Sequence, residues 1–419
     1  GSVRICGIHL TLLSVTMSET TLSARPTKPG FDFDRGPALV TAILFILAGV
    51  AIAQAVDLHQ AVLYGLGGLL GVSLYHASFG FTGGWRRFSV EKRGRAMRAQ
   101  LLMVGVAAAA FIPMLALGSP LGNPIVGAVA PVGTSVLIGA FMFGLGMQLG
   151  GGCGSGTLFT VGGGSARMLL TLVFFIIGAV VGTAHLPMWL ELPSLPPISL
   201  GREFGIGGGL AVTFAGLVLI ALLTVIVEKR AHGSLEASPI AQHSNLTRLF
   251  HGPWPMVWTG LLLAGLNVAT LLIAGHPWSI TFGFGLWGAK IAQFAGVPVE
   301  TWEFWNWAGP AKALGNSVLA DTTSVMNFGI VIGAAFAAAL AGKFAPKVSV
   351  PLASLMAAVI GGLLMGYGAR LAFGCNIGAF FSGIASGSLH GWLWFVLAFA
   401  GSWVGIALRP VFGMDGFRK

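Results

Sequence analysis

An all-α, polytopic membrane protein is the fold class this sequence predicts, with an internal duplication and with broken or re-entrant helices carrying Gly-Cys loops at mid-membrane depth. Three observations predict it. The 419 residues are 55% hydrophobic and only 9% charged, at a mean hydropathy of +0.86, which leaves too few charges to cover a soluble surface. Apolar stretches of about 18–20 residues, enough to cross a bilayer, recur along the chain. One glycine-cysteine segment is written twice, about half a chain apart.

Residues 1–34 read as an N-terminal extension without fixed structure. Its first part, 1–16, lies ahead of Met17 in MSETTLSARPTKPG and reads as an upstream, non-native addition that includes Cys6. The apolar stretches are 37–56, 62–80, 99–117, 132–149, 167–186, 205–227, 255–275, 278–296, 324–342, 350–373 and 391–410. Some are rich enough in glycine to break, which predicts about nine to eleven crossings. They divide into a first membrane repeat, 35–227, a polar cytoplasmic linker, 228–254, and a second membrane repeat, 255–412.

The net charge of +10 does not indicate a nucleic-acid partner, because the bases cluster at helix ends. WRRFSVEKRGRAMR (85–98) holds six Arg/Lys against one Glu, and EKRAHG (228–233) adds more. An excess of bases in short loops places both on the cytoplasmic side. Pro187–Phe204, proline-rich and nearly neutral, fits the outer side.

The duplication lies in IGAFMFGLGMQLGGGCGSGTLF (138–159) and IGGLLMGYGARLAFGCNIGAFF (360–381), where nine of 22 ungapped columns are identical. The cysteines Cys153 and Cys375 coincide at an offset of 375 − 153 = 222 residues, and Gly156 coincides with Gly378. Many transporters are built from such repeats. Glycine runs are poor helix, so each segment predicts a break beside its cysteine. Broken backbone at this depth needs a cavity or protein to satisfy its polar groups. A second apolar helix opens after each loop, with Ser165 and Ser388 as predicted caps. Free amides near a helix start favour an anion without a full charge. The candidate path therefore comprises Cys153, Gly154, Ser155 and Gly156 from one half, and Cys375, Asn376, Ile377 and Gly378 from the other.

The thiols add a softer contact. A cysteine in an apolar site without a cationic partner stays neutral, and a neutral S–H is a weak donor to a soft acceptor such as sulfur. Two thiols in succession suit a sulfur-bearing anion that must be bound weakly enough to leave. Each cysteine alone reads equally well as a small buried hydrophobe; its repetition in one glycine frame favours function. Arg370, five residues before Cys375, and Lys290 in FGLWGAKIAQF are ionisable residues inside apolar segments, and so candidates for the path; snorkelling to an interface is their plainer reading. Asp321 in LADTTSVMNFG is a predicted helix cap.

Enzymatic signatures are absent from the sequence. There is no G-x-x-x-x-G-K-[ST], no H-E-x-x-H and no clustered Cys/His pattern, so no cofactor or metal is predicted. A membrane thiol oxidoreductase is the rival from another class, but it would use a reactive pair such as C-x-x-C, which this chain lacks.

In GLGMQLGGGCGSGTL (144–158), GYGARLAFGCNIG (366–378), GLWGAKI (285–291) and DTTSVMNFG (321–329) the chain resembles the YeeE/YedE family of sulfur-transport membrane proteins, over about residues 35–412. The resemblance implies a thiosulfate transporter of the bacterial inner membrane, shaped as an hourglass, in which half-length loops meet at a waist and cysteines relay the ion through S–H contacts. Cys153 and Cys375 match the family's two central cysteines. The resemblance also implies a third cysteine, as the first contact of the path, early in the chain; YHASFGFTGGWRRF (75–88) has Gly80 at that place. Another sulfur or selenium species is the alternative cargo. The basic cytoplasmic loops also permit a soluble sulfur-carrier protein as partner.

Overall fold

The computed structural model describes residues 34–237, 245–344 and 350–417; the reading of residues 1–16 and of Cys6 falls outside them. In the first half, α1 (Arg35–Ala55), α2 (Leu58–Ala77), α3 (Phe81–Glu91) and α4 (Arg95–Leu117) precede α5 (Thr134–Gly150), α6 (Gly154–Gly162) and α7 (Ala166–Leu190). A short α8 (Leu200–Glu203) and the long α9 (Gly205–His232) complete it. The second half holds α10 (Asn245–His251), α11 (Met256–Ala274), α12 (Thr281–Phe294), α13 (Ala308–Gly315), α14 (Thr322–Leu340) and α15 (Leu352–Leu371). A π-helical turn, Asn376–Phe381, then leads through α16 (Ser382–Ala385) to α17 (Leu389–Leu408). The sheet among the described residues is one antiparallel pairing of two-residue strands, Val132–Gly133 with Ser194–Leu195.

Ten helical stretches among the described residues are long and apolar enough to cross a membrane. Four of them are composite: Leu58–Glu91, Thr134–Gly162 and Leu352–Ala385 each join a long helix to shorter helical segments, and Leu389–Phe412 adds a 3-10 turn to α17. Residues 278–296, which hydropathy alone reads as a crossing, hold a loop and the 14-residue α12. At about 1.5 Å per residue that helix reaches only about 21 Å, short of the hydrocarbon thickness.

The duplication is visible in three dimensions. Helix α5 packs on α15 in opposite directions: a Cβ at Gly139 would lie 2.7 Å from the Gly368 carbonyl, and one at Gly146 would lie 2.8 Å from that of Gly361. Equivalent helices thus run antiparallel, as in an inverted repeat. The flanking contacts repeat as well. Gly144 of α5 abuts Ala398 of α17, and Gly366 of α15 abuts Phe175 of α7. Within lipid no hydrophobic force separates helix from helix, so backbone approach at small residues supplies the packing.

Both basic loops lie at one end. The buried Glu228 carboxylate, near the end of α9, accepts from Arg98 Nη1 at 2.7 Å, from the Gly94 amide at 3.1 Å and from the Glu236 amide at 2.8 Å. The strand pairing and the Ser199–Ser388 bridge mark the opposite end. Of the predicted caps, Ser165 accepts from the Met168 amide at 3.4 Å and Asp321 from the Ser324 amide at 2.8 Å. Ser388 does not cap α17 through its side chain; its Oγ pairs instead with His390 Nδ1 at 2.6 Å.

Candidate functional site

One device occurs four times: a long helix, a left-handed residue, and a short helix that starts inside the protein. The left-handed residues are Ser78 after α2, Gly151 after α5, Gly275 after α11 and Phe373 after α15. At Gly151, with φ of 91°, the amide still reaches back to the Met147 carbonyl, which closes α5. A side chain there would be strained and would also strike the Arg167 guanidinium, 2.4 Å from the Cβ position. The short helices α3, α6, α12 and the π-helical turn begin after Gly80, Cys153, Ile280 and Cys375. The two cysteines are therefore themselves N-cap residues of short helices, whereas the sequence places the next helix starts only at Ser165 and Ser388.

These starts converge. A Cβ at Gly154 would lie 2.9 Å from Cys375 Sγ and 3.5 Å from Ile280 Cγ2. The Cys153 thiol lies against the Phe81 backbone, and the Phe81 ring is 5.9 Å from that of Phe380, in the π-helical turn. The Gly378 Cβ position is 3.5 Å from Ser279 Oγ. Four sets of N-terminal amides, each lacking an intrahelical acceptor, thus surround one point. Their dipoles make the waist electropositive without placing a formal charge in it.

Both cysteines are free and fully buried, and their environments differ. Cys153 Sγ lies 3.5 Å from Ser155 Oγ, while Thr157 Oγ1 donates to the Cys153 carbonyl at 2.8 Å and fixes the turn. Cys375 Sγ accepts from the Ile377 amide at 3.4 Å, so its own S–H proton points elsewhere. Asn376 is fully buried, and neither atom of its carboxamide has a partner among the described residues. Sequence reasoning valued Asn376 only for its backbone; the polar side chain opposite Gly154 of the first repeat was the available signal.

Two cavities lie near the waist, and each has charged residues in its lining. A cavity of about 430 Å³ is lined by Ser279, Lys312, Asn316 and Asp321. At the end with the basic loops a cavity of about 450 Å³ reaches Gly83, two residues from Phe81. Arg370 stands beside the waist: its guanidinium is 5.0 Å from the Phe304 ring and 5.8 Å from that of Phe282, and Nη2 donates to the Thr281 carbonyl at 3.4 Å. Lys290 is not brought to the waist. It lies ten residues along α12 from Ile280 and donates to the Leu314 carbonyl, tying α12 to α13. Gly80 is the N-cap of α3, directly before Phe81, whose backbone lies against the Cys153 thiol.

Comparison with known proteins agrees with this architecture. A family model described as sulphur transport matches residues 76–404. The chain is 30% identical over 281 residues to the thiosulfate transporter TsuA of Spirochaeta thermophila, covering 64% of this chain and 75% of that one. It is 28% identical over 371 residues to the thiosulfate transporter TsuA of Escherichia coli K12, covering 84% and 97%. Against the probable transporter YedE of Escherichia coli K12 it is 38% identical over 143 residues, 33% of this chain, and it spans about a third of that relative's length (34%). The chain belongs to the sulphur-transport (YeeE/YedE) family of multi-pass membrane transporters.

Proposed function

We propose that this protein carries thiosulfate, or a closely related sulfur-containing anion, across the bacterial inner membrane through the waist between Cys153 and Cys375. The observation that supports this most is the meeting of two free, duplicated thiols at the starts of four short helices, with cavities nearby that have charged residues in their linings. A dianion is costly to move into a low-dielectric interior. Helix-start amides at Gly154–Gly156 and Asn376–Gly378 offset part of that cost. The thiols contact the soft terminal sulfur, and the short desolvated stretch keeps binding weak enough for release. Arg370 adds a positive field beside the path without entering it. A thiol oxidoreductase is not favoured, because the two cysteines are unbonded and the homologues are transporters.

Cells lacking other uptake routes, expressing this protein, should accumulate labelled thiosulfate, and excess unlabelled thiosulfate should suppress the uptake more than equal sulfate does. Equal suppression by sulfate would contradict a role for the terminal sulfur.

Two substitutions follow from the same reading. Asn376→Asp places a carboxylate among groups that serve an anion, and should reduce uptake about tenfold or more by charge repulsion. Asn376→Ala should do less and act mainly on KM. Initial-rate uptake at matched membrane expression separates the two. Gly80 has extended backbone, φ −117° and ψ 133°, and a Cβ there would meet no atom within 4 Å. Gly80→Cys should therefore accumulate in the membrane like the parent and retain transport; failure to accumulate would show that the space is not open.

A further inference from the structure

The cavity on the cytoplasmic side carries charge that the waist does not explain. It is lined by Gly83, Arg86, Arg87, Val90, Glu91 and Asp415, among others, and encloses about 450 Å³. Arg87 is paired, with Glu91 at 3.0 Å and with Glu236 at 2.9 Å. Arg86 has no carboxylate within ion-pair distance among the described residues. Two further guanidiniums stand behind the wall that Asp415 forms. Arg409 donates to the Gln148 carbonyl at 2.6 Å and to the Asp415 carbonyl at 2.5 Å. Arg167 donates to the Leu149 and Gly150 carbonyls, each at 2.7 Å, and to Ser354 Oγ at 2.7 Å. Neither has a carboxylate partner at ion-pair distance among the described residues, and both Arg86 and Arg167 lie within Coulombic range of Arg409. The three carbonyls they hold, 148 to 150, end α5 immediately before the Cys153 loop.

We infer that this vestibule is a second anion site, which holds a small divalent tetrahedral oxyanion by charge at Arg86 and Arg87, backed by Arg167 and Arg409. Arg86 is the element of the site left free to bind, since Arg167 and Arg409 are committed to backbone carbonyls and Arg87 to two glutamates. A guanidinium suits the oxygens of such an ion; the cavity wall itself carries two guanidiniums and two carboxylates, so the positive excess that draws an anion comes from Arg167 and Arg409 behind it. The Glu91 and Asp415 carboxylates lining the same cavity limit the affinity, as release to the cytoplasm requires. The site reads only charge and shape, so it does not depend on which sulfur anion crosses the waist.

The test uses the full chain in inside-out membrane vesicles, on a Cys6→Ser background, with a reporter thiol in the cavity: Val90→Cys, and independently Gly83→Cys, whose Cβ position has no atom within 4 Å. Labelling rates are taken for an anionic and a neutral small thiol reagent, with and without sodium sulfate or thiosulfate at constant ionic strength. The inference predicts that both anions slow labelling equally, and that Arg86→Gln removes this protection and lowers the anionic-to-neutral rate ratio about threefold. Three results would overturn it: no protection by either anion, protection by thiosulfate alone, or protection that survives Arg86→Gln. Thiols at both positions that resist the neutral reagent would also overturn it, since the cavity would then be closed to the cytoplasm. None of these readouts requires transport, so thiosulfate uptake and this site fail or stand separately.

Discussion

Gly154→Val should close the waist. The valine Cβ would stand 2.9 Å from Cys375 Sγ and 3.4 Å from Cys375 Cβ, and its two methyl groups would extend into the space where the four helix starts meet. Overpacking of this kind costs about 1–3 kcal/mol when the surroundings must shift. Here the first atom met is the end of a small side chain, so the fold can adjust and the path cannot. Uptake should fall about tenfold or more, while the protein still reaches the membrane and elutes as a single species in detergent. Gly154→Ala should produce a smaller loss, because its single methyl meets the Cys375 sulfur at 2.9 Å and extends no further. Normal uptake through Gly154→Val would place the path elsewhere.

Gly361→Val should instead destroy the fold. A Cβ at Gly361 would lie 2.2 Å from the Gly150 nitrogen and 2.7 Å from the Gly146 carbonyl oxygen. Both are backbone atoms of α5 and cannot rotate away, so α5 and α15 would have to separate. Their crossing holds the two repeats together and ends at Gly150, directly before the Cys153 loop. The expected result is loss of folded protein from the membrane fraction, or a thermal midpoint several degrees lower, from about 3 kcal/mol or more of strain. The contrast with Gly80→Cys is informative: both replace a glycine in the same chain, one against backbone and one in open space.

Much of this architecture is legible in the sequence, and the parts that are not share a physical cause. The fold class follows from composition and from the recurrence of apolar stretches. The Cys153 and Cys375 loops are visible because the same glycine frame is written twice, and their breaks follow from glycine's poor helix propensity. The other two half-helices, α3 and α12, have no duplicated cysteine frame to mark them as half-helices, although the sequence separates 255–275 from 278–296 at Gly275-His276-Pro277. Their breaks fall at Ser78–Gly80 and Gly275–Ile280, where the flanking residues remain apolar, and hydropathy scores a loop plus a half-helix much as it scores a crossing. This is why 278–296 looks like a span. Arg370 is visible as an ionisable residue in an apolar stretch, but its placement against Phe282 and Phe304 depends on helices that are distant in the sequence. Lys290 gives the same sequence signal and serves α13 instead. The contact between Gly154 and Cys375 cannot be read from either repeat alone, because it exists only where the antiparallel halves meet.

That contact sets the Cys375 thiol against the first residue of the helix that Cys153 caps, and the proposed relay of the ion through both thiols rests on it. The relay is tested most directly by uptake of labelled thiosulfate into cells lacking other routes, comparing the intact protein with Cys153→Ala and Cys375→Ala at matched membrane expression. If the thiols relay the ion, each single substitution collapses uptake, and the double variant is no worse than the more damaging single one. If both single variants transport like the parent, the cysteines are packing residues and the relay is wrong.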